Sequence, residues 1–212
     1  MIGSLFDLIA DRYPMEVIDV GELSRLKAGG MTFTVRAYSA KGLGRVSLMQ
    51  ASGFFGLMKM DTLMITPTET DLPLYSYDRI YAMGNDTLIV ELYDTLSGEY
   101  DEAPLLAAKA TGADLPDRDP GVHWYDAIKL ASSISKKGKK QDTPRMDALA
   151  LMHLLAYLST AAPTADAAKK AEKSAAYVNG LLSNGGPSTD AFLKAIGEEK
   201  TARLFREVLF GI

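Results

Sequence analysis

Asp78 lies in a stretch where a charged side chain is costly. From Leu74 onward the residues alternate. Leu74, Ser76, Asp78, Ile80 and Ala82 share one side of an extended chain, and Tyr75, Tyr77, Arg79, Tyr81 and Met83 share the other. A strand of period two buries one face, and Leu74 and Ile80 assign Asp78 to that face. Burying an ionised carboxylate is expensive unless it is paired or hydrogen-bonded, so burial raises its pKa from the ordinary value of about 3.9. A carboxyl group tuned toward neutrality is a proton donor. The same position has a structural reading. A strand Asp often caps a loop, meets a buried Arg or lies near an edge, and perturbed carboxylates also occur in structural networks.

Counting brings a second carboxylate to the first. If Ile65 pairs with Leu74 across the Thr66–Pro73 loop, antiparallel pairing sets Asp61 opposite Asp78. Two facing carboxylates resist double ionisation, which again raises one pKa. A slip of one residue turns Asp61 to the other side. Counting across Gly84-Asn85-Asp86 pairs Arg79 with Glu91 as a plain cross-strand ion pair. Tyr75, Tyr77 and Tyr81 read as sheet packing. His153, on an apolar helical stretch, reads as a satisfied core residue, and His123-Trp124 as a packing anchor.

The elements that must position these residues follow from periodicity. Ser4 can cap a short helix from about Leu5 to Arg12, closed by Pro14. Met31, Phe33, Val35 and Ala37 alternate with polar residues as a half-buried strand. Similar stretches follow near 45–51, 57–65, 74–83 and 87–94. The links are short and carry Gly, Pro or Asn, the chemistry of hairpin turns, so consecutive strands form an antiparallel meander. The second half is helical: 145–160, then an Ala- and Lys-rich helix from Pro163 to about Leu182. A break follows at Ser183–Ser188, then closing helices divided at Gly197. Strands first and helices afterwards is an α+β pattern in which helices cover one sheet. Lys136-Lys137-Gly138-Lys139-Lys140 reads as an exposed loop between helices.

At 212 residues the chain suits one well-buried core, so residues 1–212 are expected to form a single domain. There is no cysteine, which excludes disulfides, thiolate metal sites and Cys nucleophiles and fits a reducing, cytoplasmic setting. Two histidines are too few for a multi-histidine metal site. A net charge of −4 gives no reason to expect nucleic-acid binding. Met1–Tyr13 is too short and too acidic for a signal peptide, and no apolar run approaches a membrane span, so no membrane partner is expected.

Asp71-Leu72-Pro73-Leu74-Tyr75-Ser76-Tyr77-Asp78, followed by a turn and a strand ending at Asp94, resembles the central segment of the ferredoxin-dependent bilin reductases. The stretch from Gly197-Glu198-Glu199-Lys200 through Phe205 to Val208-Leu209-Phe210 is similar to the closing segment of that family. Trp124-Tyr125 and the later Ser-Lys-Lys-Gly are weaker echoes. The scattered matches cover about residues 45–212, and their order and spacing carry the likeness. The resemblance implies a three-layer α/β/α sandwich with a central antiparallel sheet, and a linear tetrapyrrole held between the sheet and the C-terminal helices. It implies no tightly bound cofactor, reduced ferredoxin as electron donor, and Asp78 as the proton donor, with Asp61 a second carboxylate. Lys136, Lys137, Lys139 and Lys140 would dock the acidic ferredoxin, against the plain reading of a solvated loop. The sequence also departs from the family. Asp61 stands near the place where several members carry a His, Met49 falls where some carry an upstream acid, and Asp94-Thr95-Leu96 lacks the usual Pro. These departures keep open an alternative, a non-catalytic tetrapyrrole-binding protein of the same fold.

Overall fold

The computed structural model describes residues 1–212, with side chains described for all but Pro187. Eight strands form one antiparallel sheet: β1 (Met15–Ile18), β2 (Arg25–Ala28), β3 (Met31–Ala40), β4 (Gly44–Gly53), β5 (Met58–Pro67), β6 (Leu74–Ala82), β7 (Asn85–Tyr93) and β8 (Ile134–Lys139). From β3 to β7 spatial order follows chain order, as short links demand, and β8 returns beside β7 after the long excursion 94–133. β1 and β2 divide the free edge of β3 between them, β1 on Ala37–Ala40 and β2 on Met31–Thr34.

Alternation in the strands builds two cores. Val46, Leu48, Leu63, Ile65, Tyr75, Tyr77, Leu88, Val90 and Leu92 point to one face. There they meet α1 (Ile2–Ala10), α2 (Ala103–Ala110) and α3 (Thr143–Ser159). Phe33, Val35, Ala37, Met49, Ala51, Leu74 and Tyr93 point the other way. They pack against α4 (Ala167–Asn184), α5 (Pro187–Arg203) and its π-helical continuation Leu204–Phe210. The architecture is therefore the expected α+β, three-layer α/β/α sandwich. Each fully buried aliphatic side chain contributes about 1.5–3 kcal/mol, and both layers of helix depend on such contacts. Gly197, with φ of 80°, breaks α5 where a division was expected.

Three sequence expectations are corrected. The lysine run is not a loop: residues through Lys139 form the edge strand β8, paired with β7 from Val90↔Ile134 to Asn85↔Lys139. The β6–β7 turn is shorter than counted. Ala82 pairs with Asn85 around Met83 and Gly84, whose φ values of 51° and 74° give the doubly left-handed turn that suits a twisted hairpin. Arg79 therefore pairs with Leu88, and Glu91 with Ser76. Finally, Ile65 pairs with Tyr75, one residue from the assumed register, which sets Thr62 opposite Asp78 and Asp61 opposite Arg79. Among the described residues no helix is long and apolar enough to cross a membrane.

Candidate active site

The segment leading into β6 is held at three points. Asp71 accepts hydrogen bonds from Ser97 N (2.9 Å), Ser97 Oγ (2.8 Å) and Gly98 N (2.9 Å). Burial alone would raise its pKa, but these donors and the nearby Lys170 hold it below the ordinary value. Lys170 Nζ donates to Leu72 O (2.6 Å), and the Tyr157 hydroxyl donates to Pro73 O (2.9 Å). Helices from both layers thus grip Asp71-Leu72-Pro73 and set where β6 begins. That start decides which side chains face which layer.

On the α4/α5 side the register aligns Met49, Thr62, Asp78 and Ile89 across four strands. The Thr62 hydroxyl donates to Asp78 Oδ1 at 2.5 Å. One step along the sheet, Glu91 shares the same face and accepts from the Tyr93 hydroxyl (2.6 Å), while Lys129 Nζ lies 3.8 Å from its other oxygen. Ser76, Asp78, Glu91 and Tyr93 line a cavity of about 220 Å³, closed by Tyr177 and Leu181 of α4, Phe205 and Phe210, and the loop His123–Tyr125. Asp78 remains half-buried at the cavity floor. Burial raises its pKa to about 6; the Thr62 hydrogen bond opposes the rise and the negative charge of Glu91 adds to it. No cation pairs with Asp78 among the described residues, and its proton is exchanged near pH 6 instead of in the ordinary carboxylate range.

The walls are aromatic. Tyr93 packs on Tyr177 with ring centroids 4.2 Å apart and meets Tyr125 edge-on at 5.3 Å. His123 stacks on Tyr125 at 4.8 Å with planes 4° apart. Trp124 lies against Gly180 of α4 so closely that any Cβ there would collide with the indole. The wider π-helical winding brings Phe205 and Phe210 together, centroids 6.4 Å apart, and Ser47 Oγ anchors this segment by donating to Leu209 O (2.8 Å). A polar floor of two carboxylates under aromatic walls suits a flat, conjugated ligand bearing N–H groups.

Asp78 stands where its strand phase placed it. Asp61 does not join it: it points to the opposite face and accepts from Gln50 Nε2 (3.0 Å). A shift of one residue is a shift of face, so the expected carboxylate pair is corrected. The second carboxylate of the cavity is Glu91, which the two-residue turn sets opposite Ser76 and not Arg79. Its phase with Tyr93, opposite Ser76, was the available signal. His123-Trp124 forms cavity wall as well as packing. His153 is buried in the core as expected but only half satisfied: Nε2 lies 3.0 Å from Ser132 O, Nδ1 has no partner among the described residues, and burial pushes its pKa down to about 4. Lys136 cannot serve with the other lysines as a docking cation: it is buried and donates to Leu115 O (3.0 Å) and Asp117 (2.7 Å). Lys137, Lys139 and Lys140 are exposed.

An antiparallel sheet between two helical layers, with a titratable cavity under the C-terminal helices, defines a class of α/β/α sandwich. Among solved structures this chain is similar to phytochromobilin synthase from tomato in complex with biliverdin. The TM-score is 0.77 at 14% sequence identity, over 99% of this chain and 81% of that one. The likeness is one of fold, and it is the fold that the family resemblance implied. No protein-family model and no curated protein matches the sequence.

Proposed function

We propose that the cavity binds a linear tetrapyrrole and that the chain reduces it with electrons from reduced ferredoxin and a proton from Asp78. The observation that carries this reading is Asp78 itself. It is an unpaired carboxyl group with pKa raised to about 6, on the floor of an aromatic cavity, in a fold shared with an enzyme solved with biliverdin. Reducing one double bond takes two electrons and two protons. Ferredoxin delivers the electrons singly, and Asp78 protonates the ligand radical after the first and is reloaded from solvent. The cavity of about 220 Å³ is below the range of roughly 300–1,000 Å³ usual for ligand pockets. Admission of a tetrapyrrole therefore requires the His123–Tyr125 loop and the rim near Gly185–Thr189 to yield.

A second reading, binding without reduction, draws on Met49. It stands in line with Thr62 and Asp78 and cannot transfer a proton. Asp78→Asn separates the two. Asn is nearly isosteric, so biliverdin should still bind with a visible absorbance change. Turnover under a ferredoxin reducing system should fall by about a hundredfold or more, with the ligand radical accumulating. Binding by the wild type with no turnover would establish the second reading, and no binding would remove both.

A further inference from the structure

One end of the sheet gathers three turns, because the register sets Met31 beside Gly53, Gly53 beside Met58, and Met58 beside Ala82. In the β4–β5 turn Phe54 and Phe55 have φ of 52° and 57°, a left-handed conformation that bulky residues adopt only at a cost. That backbone throws the side chains outward. Phe55 is 107% exposed, Met83 93%, Leu57 73% and Phe54 54%. Single exposed apolar residues are unremarkable, but a group of four on adjoining tips marks an interaction surface.

Charge is segregated at the same end. Residues 27–31, 52–60, 81–86 and 137–141 carry five exposed lysines, Lys27, Lys59, Lys137, Lys139 and Lys140. The carboxylates within or next to these segments are three: Asp86, buried against Arg79 at 2.5 Å, Asp142, which accepts from Lys139 N at 2.8 Å, and Asp61, which accepts from Gln50 Nε2 at 3.0 Å. The chain as a whole has net charge −4, so this end is a cationic patch on an acidic protein. Lys139 is held beside the Met83 turn by donating to Asn85 Oδ1 (2.7 Å).

We propose that this end of the sheet docks on an anionic lipid surface, with Phe54, Phe55, Leu57 and Met83 entering the interface and the lysines meeting the headgroups. Phe54, Phe55 and Met83 stand on protruding tips, and Leu57 alone of the four borders a cavity, one of about 500 Å³ shared with Tyr81, Asn85 and Pro144. A soft interface accepts such side chains without a matching cavity, and aromatic and basic residues both favour the headgroup region. A second copy of the chain would set five lysines against five. An acidic protein would satisfy the lysines but would need a pocket shaped to receive Phe55. The contact is peripheral and does not involve the tetrapyrrole cavity, and it gives to lipid headgroups the lysines Lys137, Lys139 and Lys140 that the family resemblance assigned to ferredoxin docking.

Sedimentation with phosphatidylcholine vesicles, with and without phosphatidylserine, tests it on the full chain. The wild type should bind the anionic vesicles, with little binding to the neutral ones and loss at high salt. Phe55→Gly relieves the left-handed strain, so it should melt no lower than wild type, yet bind about tenfold more weakly or worse. Met83→Ser provides a second tip variant, and the pair Lys139→Glu and Lys140→Glu should lose at least about tenfold. Three results would overturn the proposal: no binding to anionic vesicles, binding unaffected by the tip variants, or a solution dimer that Phe55→Gly dissociates. Equal retention of wild type and Phe55→Gly on poly-glutamate, with weak vesicle binding, would assign the surface to an acidic protein instead.

Discussion

Asp78 and Arg79 are neighbours in the chain and lie on opposite faces of β6. Arg79, toward α3, is fully buried and answered: Asp86 lies 2.5 Å away, Asp147 3.3 Å, and Thr143 O accepts from it at 3.4 Å. Asp78, toward α4, has one hydroxyl donor and a second carboxylate nearby that works against its charge. A buried charge with its countercharges supplied is a structural device. A half-buried charge left unanswered is held ready for a proton or a ligand. The pairing, more than the depth of burial, separates the two faces.

The largest effect is expected on the α3 face. Arg79→Met should strand Asp86 and Asp147 without a cation and cost about 3–5 kcal/mol in chemical denaturation. A loss below about 1 kcal/mol would mean that the ion pairs are not what closes that face. The opposite sign is expected on the other face. Because the folded-state pKa of Asp78 is raised, its contribution to stability is full below the unfolded value of about 3.8 and is lost as pH rises through about 6. Asp78→Asn should therefore be more stable than wild type by about 1–2 kcal/mol at pH 7–8, with no gain near pH 4. Under the proposed reduction, turnover that needs protonated Asp78 should decline as pH rises through about 6. A destabilised Asp78→Asn at neutral pH would show that the carboxylate is answered after all.

Smaller effects are expected from the two neighbours of Asp78. Thr62→Val keeps the shape and removes the donor that favours the ionised form, so the Asp78 pKa should move further up from about 6, read by carbon NMR of the carboxyl group. Glu91→Gln removes a like charge and should move it down. This shift should be the smaller of the two, since the Glu91 charge influences Asp78 less than the Thr62 hydrogen bond does. If Glu91→Gln left the pKa in place, the two carboxylates would not be electrostatically coupled.

Period-two alternation was enough to place Asp78 beside Leu74 on the face later covered by α4 and α5. It also placed Tyr75 and Tyr77 in the opposite core and ordered strands before helices, because side-chain direction along a strand follows from backbone geometry alone. Turn chemistry located the hairpins, and Gly197 marked the break in α5. Register was beyond local pattern. Whether Ile65 meets Leu74 or Tyr75 depends on how the 66–73 loop is pinned by Ser97, Tyr157 and Lys170, residues about 25 to 100 positions away. One residue of difference exchanged Asp61 for Thr62 as the partner of Asp78, and a shorter, earlier turn that shifts the β6–β7 register by three moved Glu91 from a supposed ion pair into the cavity. Lys136 looked like its neighbours in a basic run until pairing with β7 turned it inward to Leu115 and Asp117. Periodicity is written into each segment by itself. Register, cavity walls and charge partners arise only when distant segments pack, and there tertiary contacts decided.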